Sequence, residues 1–113
     1  MIIVVATPDA NIVREDIEEG GSNNIAEFIA LKAALEHAAQ QGVKDVRILT
    51  DSRNNLAWFH KEGKNFKKIN DPARVTSIKQ EIELLKSKMV VSLKWIRRED
   101  NLAGQYIEKK YSL

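Results

Sequence analysis

From Gly21 to Asn55 the chain reads GSNNIAEFIALKAALEHAAQQGVKDVRILTDSRNN, and this stretch constrains the fold most, because it joins a capped helix, a strand and two carboxylates in one unit. Asn23 or Asn24 supplies the N-cap, Glu27 follows Asn24 by three residues as in a capping box, and Phe28, Leu31, Leu35 and Ala38 recur at helical spacing. The helix is expected to stop near Gly42. After it, VRILTD predicts a short buried strand, with Val46 and Ile48 on one face, Leu49 on the other and Asp51 at its C-terminal end. If a preceding strand runs upward, the helix descends and the next strand climbs back in a right-handed crossover. Glu27 and Asp51 then share one edge, outside the carboxyl ends of the strands, where open α/β sheets bind ligands. Two acids at that edge suit a hard divalent cation such as Mg2+, which takes a few carboxylates plus waters and substrate phosphate.

These residues also match a known pattern. SNNIAEFIALKAALEHA followed by VRILTDSRNNLAWF, and later VSLKWIRREDNLAG, resembles the ribonuclease H type 1 family, in particular its short bacterial and archaeal forms without a basic handle. The resemblance spans nearly the whole chain. In that family a T/S-N-N-x-x-E segment opens the first helix and a T/G-D-S segment ends the fourth strand. The two acids help bind two metal ions that cleave the RNA strand of an RNA/DNA hybrid. The resemblance therefore implies Glu27 and Asp51 as catalytic metal ligands, two of the usual four acids, with Mg2+ or Mn2+ as cofactor and an RNA/DNA hybrid as partner. It also places Asn23, Asn24 and Ser52 beside the nucleic acid.

Composition sets the outer bounds. The 113 residues, 43% hydrophobic and 30% charged, suit a single globular domain over 1–113. With no cysteine, disulfides and cysteine-based zinc sites are excluded. Without a signal peptide or an apolar run of membrane-spanning length, the expected location is the cytoplasm, with no membrane partner. A net charge of +2, from 18 basic and 16 acidic residues, says little about nucleic acid. Local clusters say more. KEGKNFKKIND gathers Lys61, Lys64, Lys67 and Lys68 around Phe66, which suits phosphate contacts and a stacking ring, or equally a solvated loop with Phe66 tucked inward.

The N-terminal segment departs from the family. MIIVVAT predicts a buried strand, Pro8-Asp9-Ala10-Asn11 a turn, and Ile12 to Ile17 a second, more exposed strand ended by Gly20-Gly21. A ribonuclease H domain begins with three antiparallel strands, the first central and carrying an aspartate, whereas about 20 residues before the helix leave room for roughly two. Three options follow. The hairpin is the family's second and third strands, so that the domain is truncated at its N-terminus and lacks the central strand and its acid. Alternatively MIIVVAT takes the central position, with Asp9 near the absent carboxylate, or another chain pairs with an open sheet edge to form a homodimer.

Downstream, a short helix is expected from Ser52 to His60 with Leu56 and Phe59 inward, and another after Asp71-Pro72 with Val75, Ile78, Ile82 and Leu85 as its packing stripe. VVSLKWI predicts the last strand, and Arg97-Arg98-Glu99-Asp100-Asn101 follows it at the edge that holds Asp51. In the family this R-E-x-N-x-x-A-D stretch leads to the fourth acid. Here Gly104 takes the matching position after Leu102-Ala103 with the loop one residue shorter, and Asp100 is the nearby substitute. His37 and His60 read as surface residues. The final AGQYIEKKYSL predicts a short helix.

The expectation is an α/β, ribonuclease H-like fold, a mixed β-sheet of about four strands with three to four helices. Two functions stand side by side. One is a metal-dependent endonuclease for RNA in hybrids, with activity reduced or lost for want of two acids, in which Glu27 and Asp51 hold metal and Asp9 or Asp100 assists. The other is a degenerate domain that binds nucleic acid through Arg97, Arg98, Lys64, Lys67 and Lys68, or serves in assembly.

Overall fold

Ser22, an extended residue whose hydroxyl accepts from the Ile25 amide at 3.3 Å, starts the first helix. The cap therefore falls one residue before Asn23, the earlier of the two expected caps. The computed structural model describes residues 2–6, 12–17, 22–61 and 71–111. The Pro8–Asn11 turn with Asp9, Gly20-Gly21, and the loop carrying Gly63, Lys64, Phe66, Lys67 and Lys68 lie outside the described residues. In chain order the elements are β1 (Ile2–Ala6), β2 (Ile12–Ile17), α1 (Asn23–Gln40), β3 (Asp45–Thr50), α2 (Arg53–His60), α3 (Pro72–Lys86), β4 (Val90–Trp95), a 3-10 turn (Arg98–Asp100) and α4 (Leu102–Tyr111). Gly42, at φ +73°, carries the chain out of α1 in the left-handed conformation that glycine adopts without a Cβ clash.

Helix α1 is the centre of the molecule, packed by β1, β3, α2 and α3. That explains why Ile25, Ala26, Ile29 and Ala33 are buried along with Phe28, Leu31 and Leu35, well beyond a single stripe. Trp58 of α2 meets Phe28 edge-to-face at 5.2 Å, and Val75, Ile78 and Ile82 of α3 close the same core. Lys79 sits on that inner face too, four residues after Val75, and is 3% exposed. Its ammonium donates to the Phe59 carbonyl at 2.5 Å and pairs with Glu83 at 2.8 Å, so the buried charge serves as a C-terminal cap for α2.

The strands form two separate ladders. β1 and β2 pair antiparallel, Ile2 opposite Ile17, with a register shift between Val5 and Ala6. β3 and β4 pair in parallel, from Asp45 opposite Val90 to Thr50 opposite Trp95. The mixed α/β composition with four strands and four helices is as expected, but among the described residues no ladder joins β1 to β3. The option in which the first strand takes the central place is therefore not realised by pairing with β3. On the second ladder Val46, Ile48, Val91 and Leu93 face the core while Leu49 and Val90 are exposed, the expected alternation.

Candidate functional site

The site grows from the end of β3. Thr50 is its last residue, and Thr50 Oγ1 accepts from the Ser52 amide at 3.1 Å, folding Asp51 into the turn between strand and helix. Ser52 then caps α2, its Oγ accepting from the Asn55 amide at 3.1 Å. Across the ladder, Trp95 Nε1 donates to the Asp51 carbonyl at 3.0 Å, while the Arg53 guanidinium lies 4.3 Å over the Trp95 ring. Asp51 is thus held through its backbone from β4. From the α1 side, Asn55 Nδ2 donates to the Asn24 carbonyl at 2.9 Å.

Glu27 enters this rim from the second turn of α1. Its carboxylate is hydrogen-bonded to the Ser52 side chain and feels the charge of Asp51. Although its side chain reaches solvent, the protein wall behind it desolvates the carboxyl, and this together with the Asp51 charge raises its pKa above the ordinary carboxylate value. The Ser52 hydrogen bond and the Arg98 charge act in the opposite direction without cancelling the rise. Ser52 has one proton to give, and a carboxylate can only accept, so the hydroxyl that caps α2 also donates to Glu27. Glu27 and Asp51, 24 positions apart in the sequence, share one rim.

The other sequence candidates are distributed unevenly. Asn24 is half-buried with its carbonyl engaged by Asn55; Asn23 opens α1, and its side chain lies outside the description. Ser52 is 8% exposed and turned toward Glu27 and the helix cap. Arg97 and Arg98 are exposed and engaged within the chain, Arg97 with Asp100 at 3.2 Å and Arg98 with Glu108. Arg98 nevertheless stands near enough to Glu27 to influence its titration. Asp100 is paired with Arg97, and among the described residues no group of three or more acids or histidines gathers as a metal cage. Asp9, Lys64, Lys67 and Lys68 lie outside the described residues.

At the start of α4 the Asn101 side chain accepts from the Gly104 amide at 3.2 Å, and a Cβ on Gly104 would come within 3.2 Å of that same side chain. A carboxylate at Gly104 requires the capping asparagine to give way. Counted from Asn101 without a deletion, the R-E-x-N-x-x-A-D spacing falls on Gln105, whose Nε2 donates to the Glu99 carbonyl. Either alignment leaves an uncharged residue there.

Among the described residues the donor set at the rim is two carboxylates. That fits one hard cation completed by waters and substrate oxygens. It does not fit two ions held about 4 Å apart, which need further ligands. Sequence reasoning missed three residues that shape the rim: Trp95, Arg53 and Asn55. Trp95 was legible in principle, being the inward residue of β4 nearest Asp51, and Asn55 in the S-x-x-N spacing that follows the strand.

Mixed α/β folds of this kind include the ribonuclease H-like domains. The chain belongs to the RNase H family, whose sequence profile matches residues 2–104. It is similar in structure to the N-terminal RNase H domain of Rv2228c from Mycobacterium tuberculosis, solved as a fusion with maltose-binding protein, at 22% identity and a TM-score of 0.64 over 90% of this chain and 78% of that one. Among curated proteins nothing matches. No described helix is long and apolar enough to cross a membrane.

Proposed function

We propose that this chain is a handle-less ribonuclease H-like domain, a single unit that engages RNA/DNA hybrids and holds one Mg2+ or Mn2+ ion between Glu27 and Asp51. The observation that carries this reading is the pairing of the two carboxylates, close enough for one to raise the pKa of the other. A cation bound there supplies positive charge that polarises a phosphate oxygen. The chain's own residues do the rest: Ser52 orients the Glu27 carboxylate, Trp95 fixes the Asp51 backbone, and Arg97, Arg98, Lys64, Lys67 and Lys68 contact phosphates, with Asn23 and Asn24 beside the strand. With two acids at the rim among the described residues, hydrolysis by the isolated chain is weak, and Asp9 or Asp100 supplies what assistance there is. The protein acts in the cytoplasm.

The second reading, a degenerate domain that binds nucleic acid or serves in assembly, draws on the lack of a third acid at the rim among the described residues. One assay separates the two. Metal-dependent cleavage of a labelled hybrid, abolished by Glu27→Gln and by Asp51→Asn, supports the nuclease; salt-sensitive hybrid binding without cleavage supports the binding domain. A homodimer through the strand edges left open by the divided sheet would appear as a concentration-dependent mass, and a constant monomer mass removes it.

A further inference from the structure

Asn55 is fully buried, and of its polar groups two donate while a third is left without a partner. Its backbone amide donates to Ser52 Oγ at 3.1 Å, its Nδ2 donates to the Asn24 carbonyl at 2.9 Å, and its Oδ1 has no hydrogen-bond partner. Asn24 stands in the first turn of α1, three residues before Glu27; Asn55 stands in the first turn of α2, four residues after Asp51. The 2.9 Å bond therefore fastens the start of α1, the helix that carries Glu27, to the start of α2, which the Asp51 turn leads into.

Stability alone does not account for an asparagine here. A buried acceptor without a donor is penalised, and an apolar side chain of similar size removes that penalty. The Asn24 carbonyl loses little by the exchange, because a carbonyl in the first turn of a helix already accepts from the amide four residues on. What the asparagine adds is a fixed separation. A leucine fills the space but leaves the two helix starts free to shift, and with them Glu27 and Asp51.

We propose that Asn55 is a positioning residue for the acid pair: without touching either carboxylate, it sets their separation by locking the start of α1 to the start of α2. The inference rests on the reading of Glu27 and Asp51 as one cation site. Its test is Asn55→Leu, with Asn55→Val in its place if leucine does not fold, and Tyr111→Phe, remote from the rim, as a control for lost stability. The readouts are thermal melting, Mn2+ titration followed by water-proton relaxation, and the separation of the Glu27 and Asp51 carboxyl groups in crystal structures of the metal-free proteins.

The expected result is a melting temperature at or above that of the unmutated chain, a loss of Mn2+ affinity of about 10-fold, and a changed separation of the Glu27 and Asp51 carboxyl groups. Tyr111→Phe leaves Mn2+ affinity and that separation where they were. An unchanged separation in Asn55→Leu overturns the proposal, as does an unchanged Mn2+ affinity in a chain that binds Mn2+. If the unmutated chain binds no Mn2+, the cation reading fails on its own, and the separation still decides whether Asn55 sets the spacing.

Discussion

Two glutamates on different elements of this molecule, one on β2 and one on α1, are treated in opposite ways. Glu15, on β2, receives hydrogen bonds from Tyr106 at 2.9 Å, Lys110 at 2.8 Å and Tyr111 at 2.5 Å. The Lys110 and Tyr111 hydrogen bonds are the largest causes that pull its pKa down to about 2, and the same contact raises Lys110. Glu27, desolvated by the protein wall behind it and next to the Asp51 charge, has Ser52 as its hydrogen-bond partner, and its pKa is raised. A carboxylate with more donors than it needs is a joint, here between the hairpin and α4. A carboxylate with too few, facing another acid, is suited to a cation.

The two groups also give opposite pH dependences. Glu15 contributes stability present above its unfolded value of 4.5 and lost as pH falls toward about 2. For Glu27 the contribution is fully present below 4.5 and lost as pH rises through its raised folded value.

The largest expected effect tests the cation side of this contrast. Glu27→Gln or Asp51→Asn should weaken Mn2+ binding by more than the about 10–100-fold typical of outer-shell partners, measured by calorimetry, while Glu15→Gln leaves it unchanged. Equal losses from all three would erase the distinction. Next, Glu15→Gln should lower the melting temperature at neutral pH and flatten the acid limb of the stability curve below pH 4.5, followed by circular dichroism. Trp95→Phe, which removes the donor to the Asp51 carbonyl, should cost about 1 kcal/mol of cation binding, a factor of about 5. The smallest change is Glu27→Gln without metal: relieved of a penalised charge, the protein should melt slightly higher at pH 7, with the gain lost at pH 4, where Glu27 is protonated. A fall at pH 7 would mean that Glu27 is a structural acid after all.

Local rules carried far in this chain. Asp71-Pro72 opens α3, Gly42 follows α1, and the alternation along β3 and β4 appears where periodicity put it. Meeting of Glu27 and Asp51 was legible too, because strand-to-helix direction alone assigns them to one edge. Tertiary packing decided the rest. Lys79 occupies an apolar stripe position, and no spacing rule says that its ammonium would find the Phe59 carbonyl. The Glu15 joint depends on Tyr106, Lys110 and Tyr111, about 90 residues further along the chain, beyond residues 2–104 that match the family. Division of the described strands into two ladders was not legible, because the sequence reading expected one mixed sheet and side-chain packing on α1 decided otherwise.

That division has a kinetic consequence. Since the described ladders exchange no backbone hydrogen bonds with each other, side-chain packing through α1 is what makes them cooperative. The hairpin, with α4 riding on it through Glu15, forms one foldon, and β3–β4 with the core helices forms another. Amide exchange should show the first peeling away under mild denaturant while the second, bearing Glu27 and Asp51, stays protected.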